Sequence, residues 1–486
     1  MTMTLYETLA DTLQTRIEQG FYVAGARLPS IRALSQEHGV SISTAQQALL
    51  LLEQRQWVEV RPKSGFYVKA RQVSVPIPHL SRTAQYPLQV SQWEEVLALL
   101  CDDTEGFIKL SRGMSDIDTP TLKPLMRILA DLTRSDSARC LSYEPLHGSL
   151  ELREQIARLS VDSGSVIHPD EIITTTGCQE ALSIAIQAVT EPGDVVAVES
   201  PGFYGLMQIL KARDLKALEI PMDATHGLSL DALELALDQW PIKAILVIPT
   251  YHNPLGSCMP DANKQRLLKL AQRYNVPIIE DDIYGSLGYR QPRPRTVHSF
   301  DTEGRVILCS SFSKTLASGL RVGWLVPGRY RERVAHLKYV GTAAAVTLTQ
   351  LAIAEFIKQG FYDRHLRKMR QQYQAGRDTA IALIREHFPA GTRVSFPLGG
   401  YMLWIELPEA CDVLDLAKQL LLHKIQIAPG VIFSASGKYR HCLRMNVSHG
   451  HEPAIQAAIV QVGQVAKRML ASLEVAEPPE AWSLAS

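Results

Sequence analysis

Leu5, Leu9, Leu13 and Ile17 recur at helical spacing and Gly20 ends the run, so the chain begins with a predicted amphipathic helix. Pro29 and Ser30 stand just before Ile31, where a serine can cap a second helix reaching about His38, and Gly39 closes it. Ser41 or Ser43 opens a third helix that carries Ala45, Ala48, Leu49 and Leu52 on one face to about Arg55. Trp57 to Val60 and Gly65 to Val68 then alternate as two short strands, joined by Arg61, Pro62, Lys63 and Ser64. Helices followed by a hairpin predict a winged helix-turn-helix over residues 1–69.

The period is lost over residues 70–90, where Pro76, Pro78 and Pro87 interrupt it; this stretch predicts a semi-extended linker. From Ser91 to the end, over residues 91–486, helical patterns alternate with short apolar runs. Ile172 to Thr175 precedes Gly177, Val195 to Val198 precedes "ESPGFYG", and Ala244 to Ile248 precedes "PTYHNPLG". Val276 to Ile279 precedes "EDDIYG", and Val306 to Leu308 precedes "SSFSK". Apolar strands with polar residues at their C-terminal ends predict a mostly parallel α/β sheet whose site lies at those ends. The tail beyond about Ala471, with Pro478 and Pro479, reads as peripheral.

At 486 residues the chain is long enough for two or three domains. Its formal net charge is zero, so any contact with nucleic acid has to come from a local surface. Seven cysteines show neither CxxC pairs nor Cys/His clusters, which argues against a disulfide framework and against a metal site. Neither a signal-peptide core nor a run of membrane-spanning length is present, and the cytoplasm is the expected compartment.

The chemistry centres on Lys314, flanked by Ser, Phe and Gly rather than by other charges. A desolvated lysine loses its proton readily and can form a Schiff base with an aldehyde, which suggests pyridoxal 5'-phosphate (PLP) as cofactor. PLP chemistry needs a buried anion at the pyridine nitrogen, and Asp281 follows a strand where one could sit. Tyr284 and Asn253 could reach the ring's 3'-oxygen, and Phe203 could stack on its face. Gly177, Cys178 and Gln179 open a helix whose N–H groups could bind phosphate, with Ser311, Ser313 and Arg321 completing the cup. Singly, each has an ordinary reading: Asp281 or Asp282 as a helix cap, "NP" as a turn, Phe203 as core, Arg321 in a surface pair. Their ordered fall at strand ends of one domain favours the cofactor.

Residues 4–69, with "GARLPSIRALSQEHGVSISTAQQALLLLE" and the wing "VEVRPKSGFYV", resemble the DNA-binding domain of GntR-type regulators. The resemblance implies that Arg27, Ser30 and Arg32 meet the DNA backbone. It places Ser43, Thr44 and Gln47 at base edges or nearby phosphates, and Arg61, Lys63 and Ser64 at the wing. Ile42 and Gln46 stand where the family commonly has arginines, which implies weaker electrostatic affinity per subunit and a different operator.

Residues from about 100 to 470 resemble fold-type I PLP-dependent aminotransferases through "YEPLHGSLELR", "TTTGCQEAL", "ESPGFYG", "PTYHNPLG", "IIEDDIYG", "SSFSKTLASGLRVGW" and "LRMNVS". That resemblance implies Lys314 as Schiff-base lysine and proton shuttle, and Asp281 on the pyridinium. Asn253 and Tyr284 would bind the 3'-oxygen and Phe203 would stack. Gly177, Cys178, Gln179, Ser311, Ser313 and Arg321 would hold phosphate, with Tyr143 reaching the neighbouring subunit's phosphate. Arg444 would clamp the carboxylate of an amino-acid-like ligand. Cys178 departs from the usual Ser or Ala, and "SDIDTPTLKP" after Gly113 lacks the family's Phe-Pro ending, which leaves ligand specificity open. "PLGGYMLWIEL", "IAPGVIFS" and "LRMNVS" look like a smaller C-terminal α/β subdomain that closes over the ligand.

Together the halves resemble the MocR subfamily of GntR-type transcriptional regulators. The resemblance implies a head-to-tail homodimer on double-stranded operator DNA, in which an amine or amino-acid-like effector reacts at Lys314 and alters DNA binding. Two other readings stand beside it: an active aminotransferase carrying a DNA-binding head, and a regulator whose PLP site is vestigial.

Overall fold

The computed structural model describes residues 5–18, 22, 25–54, 57–61, 64–69, 76–79, 86–90, 94 and 105–476. Lys63, in the predicted wing, and the Pro478–Pro479 tail lie outside the described residues. Contacts divide the chain into two units, Met1–Ser74 and Val75–Ser486.

In the first unit the helices are Leu5–Glu18, Ile31–His38 and Ile42–Gln54. Their ends follow from local chemistry. The Ser30 hydroxyl accepts the Ala33 N–H at 3.2 Å, and Gly39, at φ 63°, closes the second helix by donating to the Ser35 carbonyl. Ser41 caps the third, its hydroxyl accepting the Thr44 N–H at 3.1 Å, so of the two candidate serines it is Ser41 that takes this role. Leu9, Leu13, Leu34, Ala45, Ala48, Leu49 and Leu52 meet Trp57, Val58 and Val68 in one core. Each buried leucine there contributes ~1.5–3 kcal/mol. The hairpin pairs Val58 with Val68 and Arg61 with Gly65, and Arg27 bridges to Tyr67 beside it.

The second unit is built on an eight-stranded sheet. Its order in space is Ile173–Thr175, Gly323–Val326, Val306–Ser311, Ile278–Asp281, Ile242–Val247, Val195–Ser200, Lys216–Asp223 and Gly227–Leu228. The five strands from Val306–Ser311 to Lys216–Asp223 run parallel, while Gly323–Val326 and the two edge strands are antiparallel to their neighbours. Helices cover both faces, so Val195–Ser200 is buried at every residue and opens as an unbroken apolar run. A four-stranded antiparallel sheet, Arg393–Val394, Met402–Glu406, Cys442–Asn446 and Ala428–Pro429, forms the smaller subdomain with its own core of Leu403, Leu443, Met445 and Val462.

The described parts of the 70–90 stretch lie on this second unit. The Pro76 carbonyl accepts the Val394 N–H at 3.1 Å, and His79 bonds Glu406 through its backbone N–H and ring. Leu88 pairs with Ala217 by two backbone bonds of 2.8 Å, extending the sheet edge. These pieces are held on the second unit at two places.

Candidate functional site

The register of the central strands sets the site. Asp281 ends its strand opposite Cys309, and the neighbouring strand continues to Ser311 before turning into the lysine loop. Phe312 anchors that loop: it is fully buried, with its ring 4.8 Å from Trp324 and 5.8 Å from Tyr362. Lys314 emerges two residues later at the strand ends. Its Nζ donates to the Gly113 carbonyl at 2.5 Å, and the Tyr401 hydroxyl donates to the same oxygen at 3.3 Å. Burial first, and the Arg444 guanidinium next, push the Lys314 amine down to about 8. A Cβ added at Gly113 would lie 3.3 Å from Met402 Cε, 3.7 Å from Lys314 Nζ and 4.0 Å from an Arg444 nitrogen, so the missing side chain leaves the site its room.

Asp281 is buried, and burial lifts its carboxyl to about 7 against the opposing bonds it accepts. Its Oδ1 accepts the Ile283 N–H at 3.1 Å and the Cys178 Sγ–H at 3.5 Å. Cys178 thus takes a role its place in the sequence does not suggest: its thiol, pushed up by burial, orients the carboxylate instead of offering a hydroxyl to the cup. Tyr284 is buried edge-on to Tyr401 at 6.0 Å, and burial raises its phenol, keeping it a proton donor.

Asn253 Oδ1 accepts from Arg444 at 3.2 Å. Arg444 has no exposed surface; it also donates to the Ser111 carbonyl, and its Nε finds no acceptor. Its guanidinium lies 5.1 Å from the Phe433 ring and 5.8 Å from the Tyr204 ring. Among the described residues no carboxylate forms an ion pair with it, and a cation buried among aromatic rings is costly without one.

Of the residues expected to form the cup, Gly177 and Arg321 lie together. At φ 88° Gly177 turns the chain into the helix Cys178–Val189, and a Cβ on it would meet Arg321 at 2.6 Å. Arg321 is itself left-handed at φ 52°, and its guanidinium donates to the Thr176 carbonyl at 2.7 Å. Gly323 lets the neighbouring strand approach: a Cβ there would lie 2.5 Å from Gly177 C and 2.8 Å from Cys178 N. The Ser311 hydroxyl accepts the Ser313 N–H at 3.2 Å, and Gln179 donates to the Gly205 carbonyl at 3.1 Å. Phe203 caps the helix Tyr204–Ala212 with its ring against Gly205. Tyr143 is 91% exposed. Tyr401 and Tyr204 join the site without having been expected there; the pair Gly399–Gly400 before Tyr401, where a Cβ on Gly399 would lie 2.6 Å from the Tyr251 ring, was the available signal.

In the head, Ser43 and Gln47 are exposed on the third helix, and Ile42 beside them is 54% exposed. Thr44 is half-buried with its hydroxyl on Ser41 at 2.8 Å. Ser30, Arg32 and Arg27 are exposed. Arg61 bonds Glu59 at 2.8 Å and stacks 4.2 Å from the Tyr67 ring, and Ser64 bonds the Tyr67 hydroxyl at 2.7 Å. Those contacts stiffen the described part of the wing.

The pairing of a half-buried lysine, a strand-end aspartate and a glycine-opened helix in a mostly parallel sheet defines an aminotransferase-like, fold-type I domain. Sequence comparison agrees: residues 105–462 match the profile of aminotransferase class I and II, and residues 5–68 that of the bacterial regulatory proteins of the gntR family. The HTH-type transcriptional regulator YjiR of Escherichia coli is 49% identical over 96% of this chain and 100% of its own length. The multiple substrate aminotransferase of Thermococcus profundus superposes with a TM-score of 0.72 at 26% identity, covering 79% of this chain and 96% of that one. The α-aminoadipate aminotransferase LysN of Thermus thermophilus, solved with N-(5'-phosphopyridoxyl)-L-leucine, gives 0.71 at 26% identity over 78% and 96%. The chain belongs to the aminotransferase class I and II family and carries a GntR-family helix-turn-helix head, the MocR-type architecture of transcriptional regulators. That family and its solved neighbours imply dependence on PLP. The residues fit the group: a neutralisable lysine, a buried carboxylate, a side-chain-free turn under an arginine, and an arginine without an anion.

Proposed function

We propose that this chain is a PLP-dependent, DNA-binding transcriptional regulator whose large unit senses an amine or amino-acid-like effector. The observation that carries the reading is Arg444, a fully buried guanidinium without a carboxylate partner beside Lys314, in a chain with a GntR head. When bound, PLP supplies an aldehyde carbon on which amines exchange. Lys314 would hold that carbon and, once displaced, keep its amine within reach of the reacting atoms. Asp281 would fix the ring nitrogen's proton, Asn253 and Tyr284 the 3'-oxygen, and Phe203 the ring face. Gly177, Cys178, Gln179, Ser311, Ser313 and Arg321 would hold the phosphate. Arg444 would take the effector's carboxylate in place of its present acceptors, which loosens its tie to Ser111 and Asn253. Since Arg444 lies on the strand Cys442–Asn446, that exchange acts on the small subdomain directly.

The regulator would be a homodimer, with Tyr143 reaching the partner's phosphate and the heads arranged head-to-tail; the exposure of Tyr143 beside Leu141, 90% exposed, supports a subunit face there. As a DNA-binding protein it would work in the cytoplasm. An effector shifts DNA binding only through unequal affinity for the two dimer states. The test is a DNA-shift assay on operator DNA with candidate amines, run beside the visible spectrum. Amines that alter the spectrum should alter the shift. Turnover of amino donor and keto acid at useful rates, with DNA binding indifferent to both, would instead establish an aminotransferase.

A further inference from the structure

Behind the cup lies a second charge system. Glu180 sits in the first turn of the helix Cys178–Val189, whose N-terminal N–H groups would form the cup. Its Oε2 accepts the Thr176 N–H, while its Oε1 accepts from Lys338 Nζ at 3.0 Å and from the Thr342 hydroxyl at 2.6 Å. Lys338 Nζ also donates to the Thr342 oxygen at 2.6 Å. The Lys338 side chain has no exposed surface. On the other side, the Thr176 carbonyl accepts the Arg321 guanidinium at 2.7 Å. One chain of bonds therefore runs from Lys338 through Glu180 and Thr176 to Arg321.

The charges explain the arrangement. A carboxylate in a helix's first turn favours the helix by itself, yet it repels an anion at the same helix end. Burial would raise the Glu180 carboxyl, but the bonds from Thr342, Thr176 and Lys338 outweigh it and hold it below its ordinary range. Glu180 is thus ionised beside the place the phosphate would occupy. Burying a lysine is costly, and an apolar side chain would pack the helix Arg331–Thr342 as well. A cation there makes sense if the cup's own negative charge has to be cancelled.

We infer that Lys338, with Thr342, is a positioning group for the cofactor's phosphate: it neutralises Glu180 and, through Thr176, sets Arg321 over Gly177. This rests on the PLP reading above. The test titrates full-length apoprotein with PLP and, separately, with pyridoxal, which lacks the phosphate, following visible absorbance. Lys338→Met should weaken PLP about tenfold while changing pyridoxal by less than about twofold. Adding Glu180→Gln to that variant removes the uncancelled charge and should recover most of the loss, and Lys338→Arg should stay near wild type. Equal weakening of PLP and pyridoxal, or unchanged PLP binding, would overturn the inference. If Lys338→Met fails to fold by its melting curve, Thr342→Val carries the same comparison, read in the same two ways. Wild-type protein that takes up neither compound would sink the cofactor reading instead.

Discussion

The Lys314 amine donates to the carbonyl of Gly113, a residue 201 positions earlier in the chain, at 2.5 Å. A carbonyl acceptor holds the amine in place and by itself favours the charged form. Burial and Arg444 act the other way and prevail, bringing it from 10.5 to about 8. Schiff-base formation needs the neutral amine, so the rate of PLP uptake by apoprotein should climb roughly 25-fold between about pH 6.5 and pH 8.5 and flatten above. Stopped-flow absorbance reads it; a rate still rising steeply toward pH 10 would mean an ordinary lysine. The linked stability has a definite sign. The folded value lies below the unfolded one, so apoprotein stability rises from about pH 8 to about pH 10.5, where the unfolded chain holds more protons.

Arg444 is the predicted discriminator between amines and amino acids. Arg444→Lys keeps a cation but cannot bond Ser111, Asn253 and a carboxylate through one planar fork. Visible titrations should show amino-acid effectors weakened by about 2 kcal/mol or more, with simple amines little changed. Equal loss for both classes would place the carboxylate elsewhere.

The cup depends on a missing side chain. A Cβ at Gly323 would lie 2.5 Å from Gly177 C, which is backbone and cannot move aside cheaply. Gly323→Ala should lower the apoprotein's stability by ~1–3 kcal/mol and weaken PLP more than pyridoxal. A calorimetric melt matching wild type, with normal PLP binding, would show that the strand can retreat.

Much of this was legible in local chemistry. Ser30 and Gly39 bracket a helix because a hydroxyl and a left-handed glycine satisfy its ends, and both are read from neighbours. Strand ends named Asp281, Asn253 and Lys314 because apolar runs break there. What stayed hidden depends on partners far apart in sequence. Nothing periodic joins Gly113 to Lys314, Ser111 to Arg444 across 333 positions, or Glu180 to Lys338 across 158. The Cys178 thiol bonds Asp281 across 103 positions, a contact with no local signal. The anchors of the 70–90 stretch include single backbone bonds such as Pro76 to Val394, and a two-bond bridge to Ala217, which leave no compositional trace.

In the head, side-chain charge separates two kinds of expected contact. Arg32→Ala removes an exposed cation and should reduce the salt slope of operator binding by about 1, uniformly across sequences. Gln47→Ala should instead cost ~1–3 kcal/mol on the native operator and relax preference at one base position. Fluorescence anisotropy over a salt series with wild-type and base-substituted operators tests both. Identical behaviour of the two variants would contradict the assignment.

The central claim is that chemistry at Lys314 is read out as DNA binding. The direct measurement is operator affinity of full-length wild type and Lys314→Ala, each with and without an amine that changes the wild-type spectrum. The account predicts a changed affinity in wild type and none in Lys314→Ala, whose visible band is also lost. An unchanged wild-type affinity, or an equal response in Lys314→Ala, would contradict it.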